Sequence, residues 1–280
     1  MRRQKQSRLK SRTQIGYQRE AGLVVAEVHR VLREAARPGV SLLELDRLAY
    51  EATVAAGAKP NFLHYQGFPA TVCMSVNDVI VHGIPDERVL AEGDLVSFDC
   101  GAYVERDGKQ WHADAAFTHR VGPIGKRLVQ LDEITENAMW AGVAAVASAK
   151  RIGDIGAAIE DYVDEAGAGL DWTPGLIEGY TGHGIGNRLH EEPTVYNYRV
   201  RGRTEQVEPG LVICIEPMVV AGTIETKVAS DHWAVLTRDG APAAHWEHTV
   251  AVLDEGIAVL TAADGGVAGL APFGVTPVVL

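Results

Sequence analysis

"GDLVSFDCGAYVERDGKQWHADAAFTHRV", residues 93–121, holds two β-type runs that meet at Asp107-Gly108. That dipeptide accepts the left-handed backbone of a tight turn, so the stretch reads as a β-hairpin. Each arm carries an acid inside its apolar run: Asp99 in "LVSFDCG" and Asp114 in "HADAAFT". A carboxylate is costly to bury unless something compensates its charge. The hairpin therefore sets both the sheet character of this region and the question of what it is built to hold.

Working outward, residues 13–36 read as a helix, with Leu23, Val24, Val28, Val31 and Leu32 at helical spacing. "RPGVS" breaks it. Ser41 is placed to cap a second helix running to about Ala56, which Gly57 ends. "VCMSVNDVIVHGIP" reads as strand, Asn-Asp turn, strand. Beyond the hairpin, residues 127–149 and about 154–166 are alanine-rich and helical. Strand signal returns in "GLVICIEPMVV" and "HWEHTVAVL". The order is thus helices then sheet, twice. "ELDRLAYEATVAAG" (44–57) faintly echoes "DIGAAIEDYVDEAG" (154–167), a hint of a duplicated α+β half. Residues 263–280 form a Gly- and Ala-rich tail with one charge, whose placement the pattern does not define.

The 280 residues are 46% hydrophobic and 22% charged, which suits one globular domain or two intimately joined halves. No apolar run reaches the roughly 18 residues of a membrane span. The basic start "MRRQKQSRLKSR" has no apolar region after it, so it does not read as a secretory signal, and a cytoplasmic location is expected. Cys73, Cys100 and Cys214 are far apart, which fits reduced thiols and not a disulfide framework. The net charge of −11 is uneven: residues 1–12 carry six cations and no acid, leaving −17 on the rest. An acidic body excludes nonspecific DNA binding by the main fold. The basic arm, read as a disordered terminus, has the charge to touch a ribosomal RNA backbone.

Two more acids stand in strand-like runs, Glu216 in "VICIEPM" and Glu247 in "HWEHTV". One such acid would pair with an arginine. Four of them, with few cations in the same runs, would repel and raise one another's pKa if they met. A pair of divalent cations is the simplest compensation, and it keeps the acids ionised. The glycine-rich loop "GYTGHGIGNRLHEEP" (179–193) supplies His183 as the natural nitrogen ligand, with glycines on both sides to allow close approach. Oxygen donors plus one imidazole suit Mn, Fe(II), Co or Zn, not a thiolate site. Such a pair activates a water and polarises a carbonyl. His82 in "VHGIP" and His190 in "LHEEP" are candidate proton shuttles beside it; His112 and His248 read as structural.

Six blocks in order, "GFPATVCMSVNDVIVHGIP", "GDLVSFDCGAY", "HADAAFT", "GHGIGNRLHEEP", "IEPMV" and "WEHTV", resemble the type I methionine aminopeptidases, in the bacterial form without an N-terminal zinc-binding extension. The resemblance covers about residues 13–262. It implies a pita-bread fold of class α+β: two pseudo-symmetric halves with a curved antiparallel sheet over two divalent metal ions. Asp99 would hold one metal, Asp114 and Glu247 would bridge both, and His183 and Glu216 would complete the other. Glu216 would also relay a proton. His82 would contact the amino end or leaving amide, and His190 the scissile carbonyl. Tyr65, Phe68, Cys73 and Trp233 would line an apolar methionine pocket. The implied substrate is a peptide or nascent chain with N-terminal methionine and a small second residue, and the family is usually monomeric.

Three departures from the family pattern stand out. Fifteen positions separate Asp99 from Asp114, longer than usual, which an even insertion tolerates without changing strand face, and an extended turn near Asp107 is expected. Leu189 stands where an aromatic is common, so the pocket rim should differ. The tail lies outside the match. Two other readings compete: a proline-directed pita-bread peptidase, which usually carries a further N-terminal domain, and a noncatalytic pita-bread protein, which loss of ligands would favour.

Overall fold

The structure is a computed structural model and describes residues 8–280. Helix α1 (Arg12–Ala35) opens on a capping box: the Ser11 hydroxyl accepts from the Gln14 amide while the Gln14 side chain accepts from the Ser11 amide. Its apolar stripe, including Ile15, Val25, Val28 and Leu32, is buried. Helix α2 (Leu42–Ala55) starts at Ser41 as expected, and its last turn is closed by Gly57 at φ +74°. Helices α3 (Lys126–Val146) and α4 (Ile152–Gly167) repeat the arrangement in the second half. The two stretches that echo each other in sequence are therefore the second helix of each half. One continuous core joins all four helices to the sheet.

The 93–121 stretch is a hairpin of two twelve-residue strands, Leu95–Arg106 and Lys109–Arg120. Asp107 (φ 52°) and Gly108 (φ 69°) make a two-residue turn with both centres left-handed. The expected extended turn is not there. The additional residues lengthen the paired arms, which stay in register from Leu95 opposite Arg120 to Arg106 opposite Lys109. Val72–Val76 pairs with the Asp99 strand on its other side. Val79–Val81, which follows the Asn77-Asp78 turn, does not pair back onto Val72–Val76 but joins Val235–Thr237.

In the second half, Val212–Ile215 pairs with His248–Leu253, and Met218–Val220 with Ala243–His245. The two registers are one: His248 faces Ile215 and His245 faces Met218, so Glu247 lies opposite Glu216 between them. Pro217 interrupts the ladder because it has no N–H to give. The halves are stitched together by Ala116 and Glu247, which exchange backbone hydrogen bonds of 3.3 and 2.9 Å. Gly182–Gly184 and Glu191–Val195 complete the sheet on the far side.

Among the described residues, both ends of the chain are tied to the body. Residues 1–7 of the basic arm lie outside the described residues, but residues 8–12 do not fray. Arg8 pairs with Glu208, Arg12 pairs with Glu255, and Lys10 is buried. The tail has a defined place. Val267–Leu270 forms a short helical turn with Leu270 fully buried, and the Val278 amide donates to Ile257 O at 2.7 Å. Arg19 ties this end to α1, donating to Leu260 O (2.8 Å) and Ala262 O (2.6 Å).

Candidate active site

Register explains how residues far apart in sequence meet. Residues directly opposite each other in neighbouring strands share a sheet face, and so does every second residue along a strand. One row crosses the sheet as Cys73, Asp99, Ala116, Glu247 and Glu216. The next row, two residues along each strand, contains Asp114, Thr249, Cys214 and His183. All five residues expected as ligands thus stand on one face in two adjacent rows. Thr249 joins the two halves within the second row: its hydroxyl donates to Asp114 O at 2.7 Å and accepts from Asp114 N at 3.0 Å.

Asp99, Asp114 and Glu247 each offer an oxygen within 4.8 Å of the others. His183 Nε2 lies 3.5 Å from Glu216 Oε1. Its other nitrogen, Nδ1, is 3.0 Å from Gly184 O. A carbonyl only accepts, so Nδ1 carries the proton and Nε2 presents its lone pair to the acids. The glycines flanking His183 are required by space: a Cβ at Gly182 would lie 2.2 Å from Cys214 O, and one at Gly184 2.3 Å from Glu192 O.

Four acids in this space cannot all stay ionised unaided. Burial pushes the Asp99 carboxyl up to about 7, and its hydrogen bond with Asp114 tempers the rise. Burial first, then neighbouring acids, raise Asp114, Glu216 and Glu247 well above the carboxylate range. Asp99 Oδ1, Asp114 Oδ1 and Glu247 Oε1 are buried with no hydrogen-bond partner among the described residues. Buried acceptor oxygens that meet no donor are what a cation requires, so the residues present fit a divalent metal centre. Cys214 Sγ also lies within 4.8 Å of ligand atoms of His183 and Glu247. It is the weaker donor: burial raises its thiol well above the usual value, and it is 3.5 Å from the Thr249 hydroxyl.

The acids form the floor of a cavity of about 680 Å³. Phe68 and Trp233 make its apolar wall, edge to face at 5.1 Å, with Cys73 beside Asp99. Tyr65 stands at the rim with its hydroxyl 2.9 Å from His190 Nδ1. His183 and His190 stack edge to face at 4.3 Å between centroids. His82 sits across the cavity, 6.4 Å from Trp233, on a backbone at φ 61°. Burial lowers the pKa of His82, His183 (to about 3) and His190, so all three are neutral imidazoles near pH 7. Leu189 is buried and also lines the cavity, so the rim change the sequence raises is an aliphatic contact.

His112 and His248 lie outside the cluster. His112 Nδ1 meets Asn61 Oδ1 at 2.8 Å, and His248 Nδ1 meets Thr261 Oγ1 at 2.8 Å. Sequence reading missed His245. It is 1% exposed, its ring nitrogens have no hydrogen-bond partner among the described residues, and Nε2 lies 3.8 Å from Glu216 Oε2. Its spacing, two residues before Glu247 in a strand, was the available signal. Lys10 and Glu191, which pair at 2.8 Å, carry no such signal.

A profile of metallopeptidase family M24 matches residues 17–254. Methionine aminopeptidase 1 of Mycobacterium tuberculosis is 46% identical over 242 residues, covering 86% of this chain and 90% of that protein. Methionine aminopeptidase of Clostridium acetobutylicum is 42% identical, covering 90% and 98%. The crystal structure of methionine aminopeptidase from Thermotoga maritima superposes with a TM-score of 0.84 at 33% identity, covering 91% of this chain and 98% of that one. With its two-half α+β fold and the five side chains expected as ligands on one sheet face, the chain belongs to metallopeptidase family M24, among the type I methionine aminopeptidases.

Proposed function

We infer that the protein hydrolyses the bond after an N-terminal methionine in peptides and nascent chains whose second residue is small. The observation that carries this reading is the pair of rows that brings Asp99, Asp114, His183, Glu216 and Glu247 together under an apolar cavity flanked by His82 and His190. Asp99 would hold one divalent ion, Asp114 and Glu247 would bridge two, and His183 Nε2 with Glu216 would complete the second. When bound, the ions supply an activated water and polarise the scissile carbonyl; the oxygen-rich donor set suits Co, Mn, Fe(II) or Zn.

The chain's own groups do the rest. Phe68, Trp233, Tyr65 and Cys73 receive the methionine side chain, whose thioether packs well against aromatic edges and a soft thiol. The Tyr65 hydroxyl donates to His190 Nδ1, which leaves Nε2–H free to donate to the scissile carbonyl oxygen as negative charge grows there. His82, neutral and partly desolvated, binds the amino end or leaving amide and moves its proton. Glu216 accepts the proton of the attacking water and returns it to the leaving amine.

The test is cleavage of Met-Ala-Ser, Met-Lys-Ser and Ala-Pro-Ser by chelator-stripped protein with each metal added back. Methionine release from only the first is expected. Release from Ala-Pro-Ser would assign a proline-directed peptidase, and no cleavage by folded, metal-loaded protein would favour a binding role. Ribosome contact through the arm rests on its charge alone. Its test is whether deletion of residues 2–7 changes salt-dependent ribosome association; no change would dispose of it. Among the described residues no helix is long and apolar enough to cross a membrane.

A further inference from the structure

Lys10 belongs by sequence to the basic arm, yet its side chain is 5% exposed. Its ammonium lies 2.8 Å from Glu191 Oε2, itself 11% exposed, and 3.0 Å from Arg8 O. The Lys10 amide donates to Gly210 O at 2.7 Å, which fixes the backbone at the same point. The lysine stem crosses Gly186 so closely that a Cβ there would come 2.5 Å from Lys10 Cε. A desolvated ion pair of this kind is strongly perturbed when one partner is removed, because the other charge is left buried alone.

Glu191 follows His190 directly and faces Gly184, the residue after His183. Its second oxygen accepts from Arg188 N at 3.1 Å, inside the loop that joins the two histidines. The other side of that loop is held by the hairpin: His112 N donates to Gly186 O at 3.0 Å, and Asn187 Nδ2 donates to Gln110 O at 2.9 Å. The His190 ring lines the open cavity, and among the described residues its one side-chain hydrogen bond is to the Tyr65 hydroxyl. Its position is therefore set chiefly by the backbone of residues 184–191, and that backbone is clamped between the hairpin and Lys10.

We propose that Lys10 is a positioning residue for the peptidase reaction. Through Glu191 it sets the place of His190 over the acid cluster, and residues 8–12 form a strap across the catalytic loop. The proposal rests on the aminopeptidase reading given above. It assigns this part of the arm an intramolecular task.

The test compares kcat, KM and Mn uptake of the full-length parent, Lys10→Met, Lys10→Arg and Glu191→Gln, and repeats Lys10→Met in a His190→Ala background. Cleavage of Met-Ala-Ser by the parent is measured first; its absence overturns the functional reading and the strap with it. With an active parent, Lys10→Met should lower kcat by about tenfold to a hundredfold, the scale of a loop displaced by about 1 Å. KM and Mn uptake should stay within about twofold, since Lys10 touches no metal-ligating residue. Lys10→Arg should recover most of the loss, and Glu191→Gln should reproduce it even if Lys10→Met does not fold. In the His190→Ala background Lys10→Met should cost no further kcat. Parental kcat in both Lys10→Met and Glu191→Gln, or an equal fold loss with and without His190, would overturn the strap while leaving the enzyme reading intact.

Discussion

Asp99→Asn in the metal-free protein isolates the electrostatic cost of the site. Asp99 is half-buried as a residue, with Oδ1 shut off from solvent, and its carboxyl is raised from 3.8 to about 7, chiefly by desolvation. The native state therefore keeps a proton on it over a pH range in which the unfolded chain has released that proton. Fewer protons on the unfolded chain make stability fall as pH rises from about 4 to about 7, and flat above that. At about 1.4 kcal/mol per pH unit, the full span amounts to about 4 kcal/mol. Buried neutral histidines act with the opposite sign: His183, His245 and His248, held at about 3 to 4, lose stability as pH falls. The parent profile alone is thus a mixture. The difference between parent and Asp99→Asn removes the histidine contribution, which both chains share, and leaves the titration at position 99, since an amide does not titrate. Urea unfolding of both chelator-treated proteins from pH 4 to 8 should show the parent losing about 4 kcal/mol relative to the variant as pH rises. Added Mn should restore the parent and do little for the variant. A constant difference across that range, or a parent that gains on the variant, would refute the view that the acids are buried for a cation and are strained without one.

His183→Ala should abolish turnover and reduce metal stoichiometry, read by elemental analysis after dialysis, because its Nε2 presents a lone pair to the acid cluster 3.5 Å from Glu216. His190→Ala should lower kcat by about a hundredfold to a thousandfold, the cost of one lost donor to a developing oxyanion, with metal content unchanged; loss of metal instead would make it a ligand. Thr249→Val should destabilise the fold by about 1–3 kcal/mol in urea, because it leaves the Asp114 amide and carbonyl buried without the hydroxyl that pairs both. An unchanged midpoint would mean that the two halves are not joined through Thr249.

Local chemistry made much of this molecule legible. Ser41 and Gly57 bound α2 because a hydroxyl cap and a left-handed terminus act within a few residues. Asp107-Gly108 sets the hairpin turn for the same reason. The wider spacing of Asp99 and Asp114 does not itself say whether extra residues enter the turn or the arms; they enter the arms, which pair as far as Arg106 and Lys109. The anchoring of residues 8–12 is not legible locally, because the partners of Lys10 and Arg8, Glu191 and Glu208, lie roughly two hundred residues away.

By itself the sequence determined which residues could hold metal: acids in apolar strands and a histidine between glycines are costly patterns that only a shared charge relieves. It also determined strand parity, and so the sheet face on which each acid stands. Tertiary structure alone decided that Glu216 lies opposite Glu247 across a ladder broken at Pro217, and that Asp99 and Asp114 join them through Ala116. It alone decided that His245 sits behind Glu216 and that Lys10 reaches Glu191. Periodicity fixes how a side chain points within its own strand; register between strands distant in the chain arises only when the two halves close over one core.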